Sequence, residues 1–207
     1  MENRAKTECS TTEEVNDMNI LVIQGSPYGG SFSHTNAQAY AQAARRKGHT
    51  VEMIDLSQED FDPVLRYGYV KHMEDESAPK RYQNMVARAD HLVFVFPIWW
   101  AGEPAILKGW LDRVLTPQFA YRYESSLKSE GLLRGKTAQI ISSSHGPAFV
   151  SKMYGSTVTR WKYSILKFCG IKFTGASILG CIDSKIDTPE RRDAFTRRIC
   201  ETVPSAK

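Results

Sequence analysis

Short apolar runs alternate with stretches of helical period along the whole chain. Residues 20–23 form a buried-strand run, and after a glycine-rich turn Ala37, Tyr40, Ala41 and Ala44 recur at helical spacing until Gly48. Residues 51–54 predict a second strand, 77–89 a helix, and 91–96 a third strand rich in valine and phenylalanine. Ile106, Leu107, Trp110, Leu111, Val114 and Leu115 then share one helical face, with Pro104 suited to the first turn. A fourth strand is expected at 136–142, a helix through Val158, Trp161, Ile165 and Cys169, a fifth strand at 172–179 and a closing helix at 188–203. Five apolar strands separated by helices predict an α/β protein, with a doubly wound parallel sheet of order 2-1-3-4-5 covered on both faces. Ligands of such sheets sit outside the carboxyl ends of the strands, at the switch point between the first and third.

Composition narrows the picture. With 207 residues, 42% hydrophobic and 24% charged, the chain can bury a full core and is neither disordered nor fibrous. Residues 1–17 carry five acids and two bases without any period, and are expected to form a mobile leader ahead of a single domain at 18–207. Met18 opens the first strand run, so the leader is read as an upstream extension or a weak appendage. The longest nearly apolar stretch, 92–101, is half a bilayer span and contains a proline, so no membrane insertion is expected. Cys9, Cys169, Cys181 and Cys200 are far apart, which fits a reduced, cytoplasmic setting, and the five histidines are scattered, so no metal is expected. The formal charge is 27 − 23 = +4, with bases and acids interleaved, and nucleic acid is discounted as a partner.

The three segments that follow strands one, three and four are unusual. The first is Gly25-Ser26-Pro27-Tyr28-Gly29-Gly30-Ser31-Phe32-Ser33-His34, whose glycines, hydroxyls and helix-start amides suit a phosphate. It lacks the lysine ending of a nucleoside-triphosphate loop and the spacing of a dinucleotide fold, and Ser33 could equally be a plain helix cap. The second is Phe96-Pro97-Ile98-Trp99-Trp100-Ala101-Gly102-Glu103-Pro104. Adjacent tryptophans on a strand point to opposite faces, so at least one ring must leave the core and offer a flat wall to a planar heterocycle. The third is Ser142-Ser143-Ser144-His145-Gly146-Pro147, either a plain turn or a set of small donors for a heterocycle's polar edge.

The run Phe96-Pro97-Ile98-Trp99-Trp100-Ala101-Gly102-Glu103-Pro104-Ala105-Ile106-Leu107-Lys108-Gly109-Trp110-Leu111-Asp112-Arg113-Val114-Leu115, followed by Phe119-Ala120-Tyr121-Arg122-Tyr123, resembles the signature of the flavodoxin-like NAD(P)H:quinone oxidoreductases. That family includes DT-diaphorase and the ancillary oxidoreductases of bacterial potassium-efflux systems. The resemblance covers residues 18–182, with Phe61-Asp62-Pro63-Val64 and Phe168-Cys169-Gly170 as minor matches.

It implies a flavodoxin-like fold with Ser26, Ser31, Phe32, Ser33 and His34 around a flavin phosphate. Pro97, Ile98, Trp99 and Trp100 would line the isoalloxazine, with Ser143, Ser144, His145 and Gly146 against its polar edge. His145 departs from the Thr-Thr-Gly-Gly that is usual there. The family's catalytic tyrosine is matched by Tyr154 only with a short insertion, and no histidine follows at the matching place; His145 and Tyr154 are the catalytic candidates. FMN is expected, with FAD the alternative, NAD(P)H as co-substrate, a quinone or other small electrophile as acceptor, and a homodimer in which residues 119–123 take part. Ping-pong hydride transfer follows from the resemblance. Two other classes compete: a regulatory subunit in peripheral contact with a transporter, and a flavodoxin-type electron carrier. The carrier is disfavoured by a charge of +7 once the leader's −3 is removed, since docking carriers are expected to be acidic.

Overall fold

The computed structural model describes residues 17–125, 128–153 and 156–205. Five strands, β1 (Asn19–Gln24), β2 (Thr50–Asp55), β3 (His91–Ile98), β6 (Thr137–Ser144) and β7 (Lys172–Leu179), pair in parallel in the order β2-β1-β3-β6-β7. Counting only these strands, the order is the expected 2-1-3-4-5. The central strands read as continuous apolar runs because both faces are covered. Leu21, Ile23, Leu92, Phe94 and Phe96 point to one side, where they meet α2 (Ser77–Arg88) and α3 (Ala105–Val114). Ile20, Val22, Val93 and Val95 point to the other, against α1 (Phe32–Arg46) and α5 (Pro189–Glu201). The side-chain period of two, applied to one strand, thus builds two separate cores.

The helix expected through Val158 to Cys169 begins as the single α-helical turn α4 (Thr157–Arg160) and continues as a π-helical stretch, Trp161–Lys167. Trp161 is fully buried, with its ring 4.8 Å from that of Phe94 and 5.0 Å from that of Phe96. A π-helix widens the turn, and such stretches are frequent beside functional sites.

One element was not expected. Between α3 and β6 lies an antiparallel hairpin, β4 (Tyr121–Ser125) and β5 (Lys128–Gly131), with a bulge after Tyr123. Apart from Tyr121, which is buried, its strands are largely polar and exposed or half-buried, carry no Asn-Gly or Asp-Gly turn signal, and are held across by Arg122 and Glu130. Among the described residues no helix is long and apolar enough to cross a bilayer.

Candidate functional site

Register brings the three unusual segments to one sheet edge. Phe96, Pro97 and Ile98 of β3 stand opposite Ser142, Ser143 and Ser144 of β6, so the tryptophan segment and the serine segment leave the sheet side by side. On the other flank the Gly25 amide donates to the Val95 carbonyl at 2.8 Å, which places the glycine-rich loop next to β3.

The first loop is rigid. Gln24, fully buried, donates to the Ser26 carbonyl and to Asp55 Oδ1, and its own Oε1 accepts from the Ser26 amide. Gly25 lies so close to Leu107 of α3 that a Cβ would collide with it. Ser31, not Ser33, caps α1, accepting from the His34 amide at 3.1 Å. Ser33 is buried, and His34 Nδ1 sits 2.9 Å from Asp55 Oδ2. The Phe32 ring packs against Phe195 at 6.0 Å and under Arg192, so what Phe32 can offer a ligand is its main-chain N–H. Among the described residues no hydrogen bond engages the main-chain N–H groups of Gly29, Gly30, Phe32 and Ser33. This leaves a row of donors at the start of a helix.

After β3 the chain makes a two-residue turn. Trp99 and Gly102 exchange main-chain hydrogen bonds of 2.9 Å each way, and the two central residues, Trp100 (φ 52°) and Ala101 (φ 56°), are left-handed. Such turns ordinarily use Asn-Gly, because a Cβ in this region costs roughly 1–2 kcal/mol per residue. Trp100 is fully exposed at the tip and Trp99 is 50% exposed. Both rings leave the core, for a reason other than strand alternation: the strand has already ended. The turn is held from outside by α4, where Thr157 donates to the Ala101 carbonyl at 2.7 Å. Glu103, whose side chain is buried, pairs with Arg160 and accepts from the Trp161 indole at 2.9 Å.

After β6, Ser144 Oγ donates to the Gly146 carbonyl at 2.8 Å, and the Gly146 carbonyl also accepts from the Cys181 amide. His145 Nδ1 lies 3.0 Å from the Ile182 carbonyl. Because a carbonyl can only accept, Nδ1 carries the hydrogen, and Nε2 is the basic atom of the neutral ring. Ser142 Oγ is buried without a partner among the described residues.

Between the two segments opens a cleft of about 480 Å³, lined by Ile98, Trp100, Ser144, His145 and Gly146 among others. An added Cβ at Gly146 meets nothing within 4 Å, so this wall stands clear. The first loop does not line the cleft but flanks it. Trp99, Pro97 and Ser143 lie in the adjoining backbone, and Tyr154 falls outside the described residues. Sequence reasoning missed Ala101, Val150, Ser151, Met153 and Thr157 in the cleft wall and Glu103 with Arg160 behind it. Glu103 stood in the quoted motif, but its partner is 57 residues away and nothing local announces it.

Residues 18–203 match the family described as having a flavodoxin-like fold. An uncharacterized NAD(P)H oxidoreductase of Haemophilus influenzae is 36% identical over 126 residues, 59% of this chain and 62% of that protein. The ribosyldihydronicotinamide dehydrogenase [quinone] of Pongo abelii is 30% identical over 191 residues, covering 77% of this chain and 80% of the relative. The crystal structure of Smu.1420 from Streptococcus mutans UA159 superposes with a TM-score of 0.74 at 33% identity, covering 90% of this chain and 98% of that one. For the first three curated relatives the match spans 62%, 64% and 65% of their length, just under two thirds.

Proposed function

The chain belongs to the flavodoxin-like fold family, and within it we propose a flavin-dependent NAD(P)H:quinone oxidoreductase. The observation that carries this reading is the cleft at the switch point, with a flat tryptophan turn on one side and the Ser144–Gly146 loop on the other. The residues fit a flavin mononucleotide. Unengaged amides at Gly29, Gly30, Phe32 and Ser33 suit its phosphate, Ile98 and Trp100 suit its ring, and the loop after β6 suits the ring's polar edge. When bound, the flavin supplies hydride acceptance from a dihydronicotinamide and hydride donation to a quinone. The relatives' names, an NAD(P)H oxidoreductase and a dihydronicotinamide dehydrogenase acting on quinone, support the same donor and acceptor classes.

The chain's own contribution is orientation and charge. Gly146 lines the cleft, and among the described residues its N–H donates to no main-chain carbonyl; such fixed dipoles would need no reorganisation as negative charge develops on a bound ring. His145 lines the same edge, anchored through Nδ1 to the Ile182 carbonyl. One cleft would serve donor and acceptor in turn, so turnover is ping-pong: the oxidised nicotinamide leaves before the quinone enters. The proposal includes a homodimer. In the aromatic segment only Tyr123 offers an exposed ring, because Phe119 and Tyr121 pack into the core.

The test is to release the flavin from purified protein and identify it by chromatography, then to follow NAD(P)H oxidation with a benzoquinone. FMN at about one per chain is expected. Colourless protein that takes up neither FMN nor FAD would overturn the assignment.

A further inference from the structure

Charge is not evenly interleaved along the chain. From 131 to 182 there are seven Lys and Arg and no Asp or Glu. Three of the seven are accounted for. Arg134 pairs with Glu130, Arg160 pairs with Glu103, and Lys136 donates to the carbonyls of Ala87 and Ala89. The remaining four, Lys152, Lys162, Lys167 and Lys172, are exposed, and among the described residues none of them joins an ion pair.

Two of the four border a groove of about 450 Å³, with Lys152, Thr159, Lys162 and Tyr163 on its rim and Val158 and Phe173 beneath. Tyr163 is 51% exposed, and two ammonium groups lie over its ring, Lys162 Nζ at 4.8 Å and Lys167 Nζ at 5.8 Å from the centroid. The groove adjoins the cleft. Lys152 stands between Ser151 and Met153, and Val158 follows Thr157; Ser151, Met153 and Thr157 all line the cleft.

We propose that this groove seats the phosphate-bearing adenosine end of the dihydronicotinamide donor and selects its 2′-phosphorylated form, NADPH, over NADH. The inference rests on the quinone-reductase reading and adds the identity of its donor. A dinucleotide is longer than one cleft of this size, so its far end must lie along a neighbouring surface. The path past Ser151 and Thr157 leads onto like-charged lysines and a half-exposed aromatic ring that two of them flank. Lysine is a compact point charge suited to a phosphate dianion, and a tyrosine face stacks a purine. Guarding the free edge of β7 against strand pairing explains Lys172, which lies on that strand, but not Lys152 and Lys162, which do not.

The experiment uses the flavin-loaded protein and the Lys152→Ala/Lys162→Ala double variant, with Lys162→Glu as a second probe. Steady-state kcat/KM is measured for NADPH and NADH with a benzoquinone, and calorimetric titrations use 2′,5′-ADP and 5′-ADP. The expected result is a wild-type preference for NADPH. In the double variant the NADPH-to-NADH ratio falls about 10-fold, chiefly through KM, with a parallel loss of 2′,5′-ADP affinity. Raising salt from about 0.05 to about 0.5 M should weaken 2′,5′-ADP binding to the wild type, because exposed charges are screened. An unchanged ratio with unchanged 2′,5′-ADP affinity would overturn the proposal. So would lysine-dependent sedimentation with phosphatidylserine vesicles in the absence of 2′,5′-ADP binding, since the groove's phosphate would then come from a lipid headgroup. Turnover with neither nucleotide sinks the quinone-reductase reading instead, and lysine-dependent 2′,5′-ADP binding would still support the groove.

Discussion

Two single residues illustrate how local chemistry sets stability here. His91 opens β3 fully buried; one ring nitrogen lies 2.7 Å from Thr137 Oγ1, and the other has no partner among the described residues. Burial, with a small contribution from neighbouring His49, pushes its pKa down to about 4 from 6.5. The unfolded chain therefore binds more protons between these values. The stabilisation is complete above about pH 6.5 and is lost as pH falls towards 4, by about 3 kcal/mol in all. Urea midpoints at pH 7 and pH 4.5 should show this loss in the wild type and a much smaller one in His91→Asn. Equal pH sensitivity in both would remove His91 as the cause. Ala101 is strained in the opposite sense, since its Cβ sits at φ 56°. Ala101→Gly should stabilise the apoprotein by about 1 kcal/mol, the relief of left-handed strain less the entropy that glycine adds to the unfolded chain. The same change should loosen the tryptophan turn and weaken flavin binding, read by fluorescence titration.

At the scale of elements, α3 is fixed by a glycine in its interior, where alanine would ordinarily be favoured by up to about 1 kcal/mol. Gly109 is there because the Pro63 carbonyl comes so close that a Cβ would overlap it. Arg113, buried one turn later, donates to the carbonyls of Asp62 and Asp75 and so ties the long connection before α2 onto the same helix. Gly109→Ala should therefore cost about 1–3 kcal/mol despite the better propensity, through displacement of the 56–76 connection. A chemical-denaturation series that finds the variant as stable as the wild type would contradict the close approach. The five strands and their helices were legible in the sequence because burial on both faces leaves continuous apolar runs and each helix keeps a single apolar face. The β4–β5 hairpin was not legible, since its strands are polar and its turn carries no glycine. The serine and tryptophan segments announced a site by composition. Their geometry stayed hidden: a Trp-Ala pair gives no hint of left-handed backbone, and Ser33 reads as a plain cap of α1, whereas the His34 amide donates to Ser31. The Glu103–Arg160 pair that braces the turn depends on a chain reversal that no local pattern encodes.

For the whole molecule, the proposed cofactor should act as a structural ligand as well as a redox group. The cleft and the glycine-rich loop draw on the ends of β1, β3 and β6, the middle of the sheet, while α4 braces the turn from the other side. A flavin there would contact three segments that the unfolded chain leaves far apart, so it binds the native state and not the unfolded one. Free FMN at about 100 times its Kd should then add about 2.7 kcal/mol, equivalent to roughly 5–11 °C in Tm for a chain of this size. Thermal scans of flavin-stripped protein with increasing FMN should show that shift growing with the logarithm of concentration. The increment should be smaller in Ala101→Gly, whose apoprotein starts higher but whose wall is less fixed. If FMN leaves the Tm of the wild type unmoved while FAD raises it, the larger flavin is the ligand. If neither moves it, the cleft does not hold a flavin.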